Sequence, residues 1–448
     1  MSLDVLALCE YGVTVGEERG ASEVEAYGVL DEARRMEFTS TSTSATAAVA
    51  TGLGIRVALG KRLGFYATSH LTKAEVRTAV ERALAIAKVA QPDPAWESFP
   101  TTYGKASVEG VFDTTIPRLA VETMAEKARE LIEGPPSFDR RTRITRGAIT
   151  AGVGRVAISN SYGCALERQS TTASASVTVK AEAGGRTGES SEAEQRRGWT
   201  AIDFAALYHT ASARAIRMMD AKPIERGETT IVWRNEVFAS IVGIMLGGTL
   251  TADAIQKQRS PWIGKRGEQI AAEHLSVRDD GVKTAGLGTS AFDDEGWPQQ
   301  DTPLIHHGVL VNYLYDHYTA RQEDRASTGN AGRSYRSIPT PSATNLTLNP
   351  GDATLEELLG DTKRGLYIHE VIGDWLSNPI SGTLNATVTN ADLIEAGQLS
   401  HAVKGVMVSA DFFAIIKDEA TLLADDVENA GSTYAPSVKT PKAMVIGR

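Results

Sequence analysis

Histidine spacing is the first test of chemistry in this chain. A mononuclear zinc peptidase converges two or more imidazoles on the metal beside a carboxylate that activates water, and on a helix the two histidines must lie about one turn apart. The histidines are His70, His209, His274, His306, His307, His317, His369 and His401, and no pair is separated by four or five residues. His369-Glu370 is the one His-Glu dipeptide, but Gly373 and Asp374 follow where a second imidazole would be needed. It also sits in the strand-like GLYIHEVIGDW, where alternation sends His369 and Glu370 to opposite faces. No metal site is expected in this chain. His306 and His307 fall at a hairpin turn, facing solvent.

Other reactive groupings are sparse. The run Asp293-Asp294-Glu295 has the charge to hold a hard cation, but its expected role is to cap a helix or anchor a loop through backbone hydrogen bonds. Cys9 and Cys164 lie in neither a Gly-rich nor a His-bearing context and read as buried or incidental thiols. The chain has no G-x-S-x-G elbow, no G-x-x-x-x-G-K-[ST] loop and no dinucleotide glycine motif between a strand and a helix. One polar stretch stands out. Arg321, then Ser327-Thr328-Gly329-Asn330 with Arg333 and Arg336, can offer backbone amides and guanidinium groups to a peptide carboxylate or main chain. A purely structural loop fits the same residues equally well.

The elements that would position such groups come in blocks. Strand-like EVEAYGVLD leads through TSTSTSATAAVA to GLGIRVALGKRLGFYATS, whose glycines Gly52, Gly54, Gly60 and Gly64 read as hairpin punctuation. A helix follows from Thr72, stopping before Pro92. A second amphipathic helix starts near Pro117 and is expected to end at Gly134 and the two prolines after it. Strand-rich TRITRGAITAGVGRVAISNSYG and ERQSTTASASVTVKAEA then precede a helix capped by Asp203. The parallel order predicts an internal duplication, with modules at about 20–90 and 115–220 inside an N-terminal α+β domain, 1–222. Residues 223–448 read as a strand-rich, mostly antiparallel C-terminal domain, opened by a buried helix or pair of helices between Glu236 and Gln258. The fold class is α+β.

At 448 residues, 42% apolar and 23% charged, the chain has the composition of a globular protein. A net charge of −10 argues against a nucleic-acid partner, and the short groups Arg140-Arg141-Thr142-Arg143 and Arg196-Arg197 read as solvated strand ends or loops. No apolar run approaches the roughly 20 residues needed to span a bilayer, so no membrane role is expected. Two cysteines and no recognisable secretory signal point to the cytoplasm.

The stretch FDDEGWPQQDTPLIHHGVLVNYLYDHYTARQ, with STGNAGR, SATNLTLNPGD and KRGLYIHEVIG in that order, resembles the core signature of the TldD/PmbA family, and the resemblance extends over nearly the whole chain. It implies one half of a peptidase in which a zinc-bearing subunit pairs with one lacking the metal. In the zinc subunit a helix before a segment like RSPWIGKRGEQIAAEHLSVRDDG carries H-E-x-x-x-H, and a Cys in the tail adds a ligand. Counting back from Ser260, the two His positions fall near Gly243 and Gly248, and no Cys follows Asp425. The resemblance therefore implies a PmbA/TldE-like subunit with no cofactor of its own. Its implied partner is a TldD-like zinc peptidase, or a second copy of itself, and its implied substrate a peptide or unfolded protein. The competing expectation is a self-sufficient hydrolase, or a homodimeric peptide-binding protein, with an unrecognised site.

Overall fold

The computed structural model describes residues 3–447. Its first half is one six-stranded antiparallel sheet made of β1 (Glu23–Phe38), β2 (Thr43–Leu59), β3 (Arg62–Thr68), β4 (Thr142–Asn160), β5 (Ala165–Ala183) and β6 (Arg186–Arg196), in the order β3-β2-β1-β4-β5-β6. Helices α1 (Val5–Glu18) and α2 (Lys73–Val89) flank the first three strands in sequence, and α3 (Val121–Phe138) and α4 (Phe204–Met218) the last three. The order helix, three strands, helix thus occurs twice, and the copies join along β1 and β4 from Glu25↔Asn160 to Phe38↔Gly147. All four helices cover one face. Val24, Ala26 and Leu30 of β1 pack with α1 and α2, and Met36 and Phe38, of the same parity, pack with α3 and α4.

Several local expectations need correction. The repeat begins with α1, a helix not anticipated from sequence and capped by Asp4, whose carboxylate accepts from Ala7 N–H at 2.9 Å. Gly52 and Gly54 do not turn the chain; they lie inside the 17-residue β2 because Tyr335 from the C-terminal half packs directly on that strand, leaving no room for a Cβ. Helix α3 runs on through Pro135 and Pro136 to Phe138. Both prolines fall in its last turn, so the helical bonds they forgo are at the very end of the helix, and Gly134 lets the ring of Tyr208 on α4 pack closely.

The C-terminal half is strand-rich, as expected. β7 (Gly227–Trp233) pairs with Val438–Ile446, which pairs with Val406–Asp411, then Thr383–Glu395, then Arg364–Ile372, and this last strand returns to β7 in parallel. These pairings close a barrel, antiparallel but for that last contact. The helical pair expected between 236 and 258 is present as α5 (Asn235–Leu246) and a short helix, Ala252–Gln256. Seven of the twelve residues of α5 are buried, which makes it the central helix of the largest core cluster.

Candidate functional site

The helix-free face of the N-terminal sheet carries a cleft of about 690 Å³ between that sheet and the C-terminal half. Its floor is built of small side chains in register: Ala148, Ser176 and Ala193 form one cross-strand row, and Thr150, Ser174 and Gln195 the next. The alternation visible as STTASASVTV explains this, since Ala173, Ala175, Val177 and Val179 face the helices while the intervening residues face the cleft. The floor continues toward Ser42, Ser44 and Gly147 in a second hollow of about 660 Å³. Glu236, Val237 and Ser240 from the first turns of α5 form the roof, together with His369, Glu370, Val371, Asp374 and Trp375.

A β-bulge sets part of that roof. The pairing of Arg364–Ile372 with Thr383–Glu395 slips between Ile368 and Glu370 and again before Val371, so His369 and Glu370 both line the cleft. This corrects the expectation that they point to opposite faces, since the extra residue of a bulge breaks the period of two. His369 is buried, and its Nε2 lies 2.9 Å from Asp392 Oδ2; Asp392 is also paired with Arg217 at 2.6 Å. Burial pushes the imidazole pKa down against the opposing pull of Asp392. Burial alone would raise the Asp392 carboxyl, but the bonds from His369 and Arg217 outweigh it and hold it low. The proton therefore sits on Nε2, and Nδ1 is a lone-pair acceptor with no partner.

Acidic groups dominate the rest of the roof. Arg234 is held in a bidentate pair by Glu192 at 2.8 and 3.0 Å, with Arg214 on the same carboxylate, and reaches Glu236 at 3.0 Å. Burial, opposed by Arg234 and reinforced by Glu192 and Glu428, pushes the Glu236 carboxyl up to about 6. Glu370 is raised by burial as well, with Ser191 N–H and the Ser190 hydroxyl 3.4 Å away.

The residues singled out from sequence lie elsewhere. Ser327 and Thr328 hydroxyls donate to Tyr315 C=O at 3.2 and 3.1 Å, Asn330 donates to Asp279 at 2.6 Å, and Gly329 packs on Pro298 C=O with φ +73°. Arg321 pairs with Glu97 on the surface. The Arg333 side chain is buried, 2.6 Å from Glu25 and stacked over Tyr27, whereas Arg336 is exposed. None of these residues lines the cleft. Ser327, Thr328, Asn330 and Arg321 spend their polar groups on the protein itself, whereas Nε and Nη2 of Arg333 are buried without a hydrogen-bond partner.

Asp293-Asp294-Glu295 is the hub of that fastening. Asp293 accepts from the backbone N–H groups of Glu295, Trp297 and Ala331, and Asp294 from Arg333 N–H, Tyr27 and Arg168. Glu295 meets Arg56 at 2.9 Å, and Arg56 also forks onto Glu25 at 2.8 Å. Arg197 is likewise not a solvated loop residue. It is buried and donates to the carbonyls of Thr171, Gly286, Leu287 and Thr289.

Three family models match the chain in succession: PmbA/TldA metallopeptidase domain 1 over residues 43–87, the central domain over 114–219 and the C-terminal domain over 226–447. The chain belongs to the PmbA/TldD family. It is 29% identical to the protein MJ0231 of Methanocaldococcus jannaschii over 387 residues, 86% of this chain and 87% of that one. A second protein of that organism, the metalloprotease MJ0996, is 30% identical over 206 residues, so the match spans about half of each chain, 46%. The crystal structure of TldE from Thermococcus kodakarensis superposes with a TM-score of 0.90 at 21% identity, covering 98% of this chain and 100% of that one. That likeness is one of fold.

The zinc positions implied by the family do not fit a metal in this PmbA/TldD-family chain. Gly243 sits on α5, and a Cβ there would lie 2.7 Å from Thr433 Oγ1, so a hydroxyl from the C-terminal hairpin occupies the space of a ligand side chain. Gly248 lies beyond the helix end, in an exposed turn. Neither supplies a donor, and the described residues hold no group of three His, Cys, Asp or Glu arranged to bind an ion.

Proposed function

We propose that this chain is the metal-free, TldE-type subunit of a two-subunit peptidase. It works with a TldD-type zinc subunit on peptides or unfolded protein, enclosing the substrate and positioning it. The observation that carries this reading is the pairing of a wide, small-residue cleft with glycines at both implied zinc positions, one of them covered by Thr433. A flat floor of Ala, Ser and Thr admits an extended main chain with little steric selection, which suits a subunit that handles varied sequences.

An exposed apolar row supports a partner on the C-terminal half. Ile372, Met407 and Ile446, with Thr387 between the first two, lie in register across four strands and are each 37–50% exposed. Trp375 and Leu376, 67% and 75% exposed, continue the row to the rim of the cleft. Such contiguous apolar surface marks an interaction site, and a subunit seated there would help to close the cleft mouth.

The chain alone is expected to bind no stoichiometric zinc and to leave an unstructured peptide intact. The co-purified complex with a TldD-type subunit is expected to carry zinc and cleave it. Elemental analysis and chromatographic assay of both preparations decide this; zinc-dependent cleavage by the isolated chain would overturn it.

A further inference from the structure

The two copies of the helix, three-strand, helix unit differ at one edge. In the second copy β6 pairs with β5 from Ala173 onward, and the first part of β5 runs beyond it. There Thr171 N–H donates to Val111 C=O at 3.0 Å, while its hydroxyl donates to Arg197 C=O and accepts from Asp113 N–H. The connection between α2 and α3 therefore sits on that edge. In the first copy β3 pairs with β2 only from Leu53 to Leu59. The residues before Leu53 have β1 on one side and, among the described residues, no strand on the other. Thr43 to Ala50 are all exposed, Val49 at 68%. Ser42 C=O accepts from Thr39 N–H, so alternate backbone groups of β2 turn to β1 and those of Thr43, Ala45, Ala47 and Val49 turn outward. Natural edges of this kind are guarded by charge, by proline or by a covering segment. Here no Asp, Glu, Lys, Arg or Pro occurs between Glu37 and Arg56.

We propose that this edge pairs with the same edge of a second copy of the chain, antiparallel about a two-fold axis through Thr46. In that register Thr43 and Ala45 lie opposite Val49 and Ala47 of the second copy, and their outward N–H and C=O groups bond across the axis. Thr46 meets Thr46 of the second copy as the closer, non-hydrogen-bonded kind of pair, with the two hydroxyls in reach of each other. Thr51 stays outside the pairing, because its hydroxyl donates to Ser69 C=O where the chain leaves β3. The occupant is a second copy because the segment is its own complement: a two-fold contact sets uncharged, small or β-branched residues against one another, and no like charges meet within it. The N-terminal sheet would then run continuously through both subunits. This interface uses none of the apolar row on the C-terminal half, so it stands apart from the peptidase partner proposed above.

The test is light scattering of the full chain, purified alone, across micromolar concentrations, beside Thr46→Lys, Thr46→Glu and an equimolar mixture of the two. The parent is expected to dimerise. Each variant sets like charges directly opposite one another and is expected to raise the dissociation constant roughly tenfold or more, and the mixture to restore the dimer. A parent that stays monomeric, a dimer that survives Thr46→Lys, or variants that the mixture does not rescue would each overturn the proposal. Pairing of this edge with a TldD-type subunit alone, and never with a second copy, would overturn it too. Thr46 is exposed, so both variants are expected to keep the parent's melting temperature. If either fails to fold, hydrogen exchange of the parent at low and high concentration decides. Slower exchange of the Ala45 and Ala47 amides at high concentration is expected, and unchanged exchange overturns the pairing.

Discussion

One face of one sheet serves two ends. Near Glu25, Tyr27, Arg56 and Arg168 the helix-free face is fastened to the C-terminal half by charges that all have partners. Further along the same strands, at Arg35, Thr150, Ser174 and Ser176, it opens into the cleft, whose roof acids are under-paired. Both regions bury carboxylates. What separates them is matching: Glu25 meets Arg56 and Arg333, whereas Glu370 meets two weak hydroxyl and amide donors. A buried carboxylate held by two cations is a fastening, and one without a cation is a place for a ligand.

The largest effect is expected at the fastened end. Arg333→Ala strips Glu25 of one of its two cations inside the structure, and removing one member of a buried pair typically costs about 3–5 kcal/mol. Denaturant unfolding of the variant should show that loss. A change below about 1 kcal/mol would mean that Arg56 alone neutralises Glu25, and the contrast between the two regions would weaken.

At the open end the expected change is smaller and has the opposite sign. The Glu236 carboxyl is raised from 4.5 to about 6 in the folded chain. A raised carboxyl contributes stability that is fully present below pH 4.5 and is lost as pH rises through about 6, so at pH 7 the folded state bears the cost of an ionised, poorly matched group. Glu236→Gln should therefore be more stable than the parent at pH 7 by up to about 2 kcal/mol, with the difference vanishing near pH 4. Unfolding curves at the two pH values check it, and a less stable variant at pH 7 would place Glu236 among the fastening charges.

Sequence exposed the periodic features and hid the long-range ones. The Ser/Thr alternation, the helix from Thr72, the turn at His307 (φ +46°) and the break after α5 all follow from local chemistry and are present. Helix α1 escaped because its buried face is partly glycine. Gly12 packs on Ile55 and Gly16 on Val24, positions that weaken a helix signal while serving close packing. The bulge at His369-Glu370 depends on how many residues the partner strand sets opposite, which one strand cannot reveal. Arg333 looked like a loop residue free to meet a ligand because its partner, Glu25, lies 308 positions away. The alternating strands of Ala and Ser were legible, but not that their outward face would floor a cleft.

Arg336 gives the smallest expected effect and the sharpest control on Arg333. The two arginines are three residues apart in one loop, and sequence treats them alike. Arg336 is exposed, and its guanidinium contacts its own neighbour, Tyr335, through a 2.8 Å bond to the hydroxyl. What holds the loop to β2 is the Tyr335 ring packed on Gly52, which the substitution leaves in place. Arg336→Ala should change stability by no more than about 0.5 kcal/mol, against the several expected for Arg333→Ala in the same denaturant series. If Arg336→Ala costs as much as Arg333→Ala, the loop is held by its whole surface rather than by one buried ion pair, and matching of charge would no longer be what distinguishes the fastened end from the open one.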